Sequence, residues 1–104
     1  MDGQITLPMK LGVEFVGTIF FLSVIVSTGN WAAIGAALAL CAFLGGGISG
    51  GHFNPAVTFM FYMKDTIPAT DAGLYVVAQL AGAATALFAY QNLVVKPITN
   101  SRGL

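Results

Sequence analysis

The sequence predicts an all-α membrane protein with three transmembrane helices and one re-entrant half-helix. Three observations carry that prediction. Of the 104 residues, 57% are hydrophobic and 8% charged, whereas a soluble domain carries roughly 25% charged residues. Residues 15–63 and 72–95 contain no Lys, Arg, Asp or Glu, an apolar load too large for the core of a short chain, so the bilayer is the solvent this composition demands. Finally, a glycine-rich stretch runs into Asn54-Pro55-Ala56, and the apolar segment after it stops at Met63, too soon to cross a membrane. Four Lys+Arg balance four Asp+Glu, which leaves no basic face for nucleic acid and no polybasic patch for lipid headgroups.

Residues 1–10 are polar or broken by Pro8 and end in Lys10, as an interfacial lead-in does. Residues 11–28 form the first apolar run; at 1.5 Å per residue it reaches about 27 Å, close to the hydrocarbon thickness of about 30 Å. A secretory signal peptide is the competing reading, because Lys10 precedes the run and Ser27 and Gly29 are small, but Glu14 falls inside its apolar part. Gly29-Asn30 makes a short turn and Trp31 an interfacial anchor. The second spanning helix covers residues 31–48, with Gly35 and Ala39 in a small-xxx-small relation that suits helix contact.

Five of the nine residues from Gly45 to Phe53 are glycine, so this segment is expected to leave the helix and form a loop. Asn54 then offers a favoured N-cap and Pro55 the favoured first helical residue. The helix from Pro55 to Met63 ends at Lys64-Asp65; its length of about 13 Å is half a bilayer. Broken backbone at membrane depth is tolerated only where it is buried in protein or lines a watery cavity, so loop and half-helix together predict a pore or binding site. A polar link with Pro68 leads to the third spanning helix, residues 72–95, where Ala78, Gly82 and Ala86 recur every four residues as a packing face. Residues 96–104 form a polar tail.

At the tip of the half-helix, the Asn54 amide can cap the helix or turn its NH2 donors toward a lumen, beside the positive end of the helix dipole. The carbonyls of Gly50, Gly51, His52 and Phe53 make no intrahelical bonds in an extended loop and are available as acceptors. A row of acceptors leading to a donor orients a file of water or hydroxyl groups. The plain alternative for Asn54-Pro55-Ala56 is a helix cap alone. No His, Cys or carboxylate spacing suits a metal, a cofactor or acid–base catalysis, so an enzyme is not expected. The single Cys41 leaves the redox compartment open.

The run Ser49-Gly50-Gly51-His52-Phe53-Asn54-Pro55-Ala56-Val57-Thr58 resembles the first Asn-Pro-Ala loop of the major intrinsic protein family, the aquaporins and aquaglyceroporins. Glu14-Phe15-Val16-Gly17-Thr18 and Ala78-Gln79-Leu80-Ala81-Gly82-Ala83 are similar to the same first repeat. The family has two such repeats, inverted about an axis in the membrane plane, and this chain has one. The resemblance implies that Asn54 is one of two pore asparagines, the second coming from another chain, with the half-helices abutting through their prolines, here Pro55. An antiparallel homodimer meets that need, and the resemblance implies four such pore units, eight chains in all, handling water or a small neutral solute in the lipid bilayer. Lys10 and Lys64 fall on one side and Lys96 and Arg102 on the other, a balance that sets no preferred orientation; chance is the alternative source of that balance.

Glu14 at a helix centre costs about 2.5–3.5 kcal/mol on insertion scales and needs a partner. The resemblance implies that it accepts hydrogen bonds from the loop backbone or from His52, as a structural brace; a proton relay is the alternative. Gln79 is a loop-holding amide, with a lipid or helix contact as the alternative, His52 lines the pore mouth or packs within the loop, and Phe59, Phe61 and Tyr62 pack between helices, with a ligand cage as the alternative. The family places an Arg after its second Asn-Pro-Ala motif; the matching position here is Val57, and the other constriction positions fall at Ile34, Ala42 and Gly51. An apolar, open neck of that kind favours small uncharged solutes such as glycerol, or gases, with water passing too. The rivals are a heteromeric channel whose second half comes from another chain and a non-conducting structural subunit of a membrane complex.

Overall fold

The structure, a computed structural model, describes residues 3–95. The polar tail, with Lys96 and Arg102, lies outside the described residues. Four α-helices follow in order: α1 Leu7–Thr28, α2 Trp31–Ser49, α3 Pro55–Met63 and α4 Ala69–Ala89, the last prolonged by a π-helical stretch, Tyr90–Val95. No strand occurs among the described residues. Three helical stretches, Leu7–Thr28, Trp31–Ser49 and Ala69–Val94, are long and apolar enough to cross a membrane, and α3 covers only 9 residues.

Several boundaries differ from the sequence reading. α1 begins at Leu7 rather than at residue 11 because Thr6 caps it, its Oγ1 accepting from Met9 N at 3.4 Å. Pro8 sits in the first turn, where its missing N–H was never needed, so it starts the helix instead of breaking it. Gly29 ends α1 at φ +56° and Asn30 caps α2, its Oδ1 accepting from Ala33 N at 2.9 Å. The glycine-rich loop is shorter than expected, since α2 runs through Gly45, Gly46 and Gly47 to Ser49. Each glycine costs a helix about 1 kcal/mol, but at membrane depth an unpaired peptide group costs more, and at Gly45 an added Cβ would stand 2.7 Å from Val13 Cγ1. The helix stops only at Gly50, φ +94°. α4 starts at Ala69 rather than at residue 72, with Pro68 before it at φ −66° and Asp71 in the first turn, at the positive end of its dipole. Nothing in the sequence marks the π-helical stretch.

α1 is the hub: it packs against both α2 and α4, while α3 packs against α4. The α1–α4 crossing is close because Gly82 has no side chain; a Cβ there would lie 3.0 Å from the Phe15 carbonyl oxygen and from Thr18 Cβ. Of the small-residue stripe on α4, Gly82 and Ala86 are buried. On α2 the pair Gly35 and Ala39 faces outward, with nothing within 4 Å of an added Cβ at Gly35.

The pattern of burial inverts that of a soluble domain. The largest fully buried side chains are Gln79, Glu14, Thr18 and Thr58, whereas Trp31 and Phe43 are 85% and 83% exposed. Polar groups face inward to find partners, and large apolar groups face the lipid, which solvates them at no cost.

Candidate pore loop and half-helix

Residues 50–54 connect α2 to α3 and carry the special backbone. Gly50, Gly51 and Phe53 all have positive φ, +94°, +67° and +54°, and only for the two glycines is that conformation free of cost. Phe53 is held there by its surroundings. The residue is 2% exposed and its ring lies against Gly17 and Gly45, where an added Cβ would collide with it at the first and come within 3.2 Å at the second. Gly51 crosses α2 closely, its missing Cβ 3.4 Å from Gly46 Cα and 3.5 Å from Ala42 Cα.

Glu14 anchors the loop from α1. Its Oε2 accepts from Ser49 Oγ at 2.7 Å and from His52 N at 3.0 Å; its Oε1 accepts from Phe53 N at 2.7 Å and from Gln79 Nε2 at 2.9 Å. All four partners donate, so the carboxylate works purely as an acceptor. Ser49 Oγ also accepts from Gly51 N at 3.2 Å, and Tyr75 Oη donates to Ser49 O at 2.6 Å, tying α4 to the end of α2. Gln79 Nε2 donates a second time, to Thr58 Oγ1 at 2.8 Å, which carries the network into the half-helix. His52 completes it: Nδ1 lies 2.8 Å from Thr58 Oγ1, and the ring is stacked on Phe61 at 4.9 Å and tilted against Tyr75 at 5.1 Å.

At the half-helix tip, Asn54 Oδ1 accepts from Ala56 N at 2.8 Å and Asn54 O accepts from Thr58 N at 3.1 Å. Satisfying the Ala56 N–H fixes which way the amide points, and Nδ2 has no partner among the described residues on an exposed side chain. Nor does any hydrogen bond among the described residues end on the carbonyls of Gly50, Gly51, His52 or Phe53. Cap and free donor, alternatives in the sequence, coexist on one amide.

The other candidates are placed as follows. Gly50, Ala56 and Ala42 are exposed; Gly51, Pro55, Val57 and Ile34 are half-buried; His52 is buried. Ile34 stands eight residues before Ala42 on α2, about 12 Å along the axis, so the loop reaches Ala42 and not Ile34. Phe59 and Tyr62 face outward, and Phe61 is the aromatic that reaches His52. Cys41 is buried and free, its Sγ 3.6 Å from Gly17 O. Sequence reasoning missed Ser49, Thr58 and Tyr75 as members of the network. Their signal was spacing: Thr58 follows Asn54 by four, and Tyr75 and Gln79 lie four apart, on one helix face. Among the described residues no cluster of His, Cys, Asp or Glu could hold a metal ion.

Comparison with known proteins bears on this arrangement. The family model for the major intrinsic protein matches residues 30–103, which include the loop and both helices that flank it. The chain belongs to the major intrinsic protein family. It is 41% identical to the glycerol uptake facilitator protein-like 6 of Lactiplantibacillus plantarum, over 82% of this chain and 44% of that protein. It is 36% identical to aquaporin AqpM of Methanothermobacter thermautotrophicus, over 80% of this chain and 32% of that protein, and 36% identical to the propanediol uptake facilitator PduF of Salmonella typhimurium, over 82% and 38%. The chain thus spans less than half the length of these members of the major intrinsic protein family. No solved structure was found to match it. With its three spanning helices, this family member is a multi-pass membrane protein.

Proposed function

We propose that this chain forms half of a passive pore for water and small uncharged solutes such as glycerol. In this reading the pore is completed by a second copy inserted in the opposite orientation, so that two Asn54 amides face each other across the paired tips of α3. The observation that carries the reading is the exposed Asn54 Nδ2, free of partners among the described residues and preceded by four carbonyls that accept no hydrogen bond there. Donor after acceptors is the arrangement that passes hydroxyl groups in file, and the dipole of α3 with its positive end at Asn54 opposes cations. Membership of the family supports a channel rather than an enzyme, and the half-length span supports the need for a second half. Four such units, eight chains, form the assembly. Val57, Ala42 and Gly51 near the loop, and Ile34 farther along α2, are all apolar or small, which widens passage from water to glycerol-sized solutes. The second reading is a heteromeric pore whose other half is a different polypeptide segment, favoured by the fact that the relatives are more than twice as long as the stretch matched here.

The test is osmotic shrinkage of proteoliposomes holding this chain alone, followed by stopped-flow light scattering with sucrose and then glycerol as osmolyte. Fast shrinkage with low activation energy, lost in Asn54→Asp, is expected. Permeability equal to empty vesicles, with the protein folded and inserted, overturns the homomeric pore and brings the heteromeric reading or the structural subunit forward.

A further inference from the structure

A cavity of about 350 Å³ reaches inward to Ser49 and has Lys10 of α1 and Asp71 of α4 at its rim, with Ile48 and Ile67 also in its wall. We infer that this rim binds a phospholipid headgroup that carries a phosphate and a primary ammonium, the phosphate on Lys10 and the ammonium on Asp71. The inference goes beyond the pore reading and needs only that the chain spans the membrane.

Two half-buried charges without partners carry it. Lys10 and Asp71 are half-buried, whereas Lys64 and Asp65, in the link before α4, are exposed. Although both stand in the wall of one cavity, neither Lys10 Nζ nor the Asp71 carboxylate makes a hydrogen bond or an ion pair among the described residues. A charge partly withdrawn from water costs free energy unless a counter-charge meets it. The hydroxyls of the wall are already committed as donors: Ser49 Oγ to Glu14, Tyr75 Oη to Ser49 O, and Thr66 Oγ1 to Phe61 O at 3.0 Å. Recognition at the rim therefore falls to the two charges. An anion is repelled by Asp71, a cation by Lys10, and a neutral guest leaves both unmatched. A guest with one charge of each sign, on separate groups, matches both through charge-assisted hydrogen bonds.

The depth of the pair assigns that guest to the membrane. Lys10 is the fourth residue of α1 and Asp71 the third of α4, about 5 Å and about 3 Å in from the helix starts, the level at which a bilayer holds its headgroups. Leu74 follows one turn inward of Asp71 on the same helix face and is 38% exposed, an apolar surface on which an acyl chain can run beside the site. The ammonium is primary because a quaternary one has no N–H for a carboxylate and is held by free aromatic faces instead. The rings of this wall, Phe61 and Tyr75, are already packed on His52.

Native mass spectrometry reads the preference directly, with the chain taken from nanodiscs of equimolar phosphatidylethanolamine, phosphatidylcholine and phosphatidylglycerol of one acyl composition. Phosphatidylethanolamine is expected to be retained roughly tenfold over either rival, the effect of one hydrogen bond to a charged group. Asp71→Asn is expected to erase that advantage, and Lys10→Gln to lower retention of all three lipids, with circular dichroism showing native helix content in both variants. Equal retention of the three lipids by the native chain, or a preference unchanged in Asp71→Asn, overturns the inference. Saturable binding of soluble glycerophosphoethanolamine without any lipid preference hands the rim to a water-borne zwitterion and overturns it as well. Permeation does not enter the measurement. Vesicles that fail to conduct while the preference stands sink the pore reading alone, and conducting vesicles without a preference sink the lipid site alone.

Discussion

Glu14 receives donors from the end of α2, from two loop amides and from α4, so one side chain on α1 sets the position of a backbone segment that has no secondary structure of its own. Replacing it by Gln puts an NH2 group where two of those donors converge and leaves buried N–H groups unmatched. Glu14→Gln is expected to destabilise the fold by about 3 kcal/mol, seen as unfolding at a lower mole fraction of sodium dodecyl sulfate. Thr58→Ser keeps the hydroxyl of the network and is expected to stay close to the native midpoint. Asn54 is different in kind: its cap bond to Ala56 N survives in Asn54→Asp, so that variant should fold normally and lose permeation, separating the conduction role proposed for the amide from its capping role.

At the scale of elements, two glycines on different helices form the notch in which the Phe53 ring lies. Gly17 on α1 and Gly45 on α2 face that ring, and Gly45 also faces Val13. Filling either position pushes the ring out and removes the support for a left-handed phenylalanine. Gly17→Val and Gly45→Val are each expected to cost about 2–3 kcal/mol. By contrast, nothing lies within 4 Å of an added Cβ at Gly12 or Gly35, so Gly12→Ala and Gly35→Ala should be neutral or raise stability by up to about 1 kcal/mol through helix propensity. The same unfolding titration checks all four, and equal losses at all four would contradict the notch.

For the whole molecule, the governing fact is that the largest fully buried side chains are polar and the exterior is apolar. A lone copy leaves Phe43, Leu44, Phe59 and Met63 exposed, a surface that lipid accepts. The antiparallel pairing proposed above requires insertion in both orientations, which the balance of Lys10 and Lys64 against Lys96 and Arg102 permits. Lys10→Ala combined with Lys64→Ala breaks the balance. Reporter fusions at the C-terminus should then read one orientation only, with that end on the cytoplasmic side, and permeability should fall because antiparallel partners are missing. Undiminished permeability in a chain shown to have a single orientation would exclude the antiparallel homodimer.

Much of this architecture was legible in the residues themselves. Apolar runs of membrane length mark the three spanning helices, because a bilayer tolerates little else, and Asn54-Pro55 marks the start of α3, because cap chemistry is local. The starts of α1 and α4 were misjudged where Pro8 and Pro68 read as breaks; each stands at the start of a helix, Pro8 in a first turn capped by Thr6 and Pro68 just ahead of its helix. The glycines of α2 were misjudged for a related reason: freedom to leave a helix is a property of the residue, but whether it is used depends on what Val13 and Phe53 press against. The network from Glu14 through Gln79 and Thr58 to His52 joins positions up to 65 residues apart in the chain. Composition and local pattern determined that this protein crosses the membrane and carries a half-helix. Tertiary structure alone decided which atoms meet at its tip, since spacing can place Tyr75 and Gln79 on one helix face but hydrogen bonds between distant residues are selected by packing.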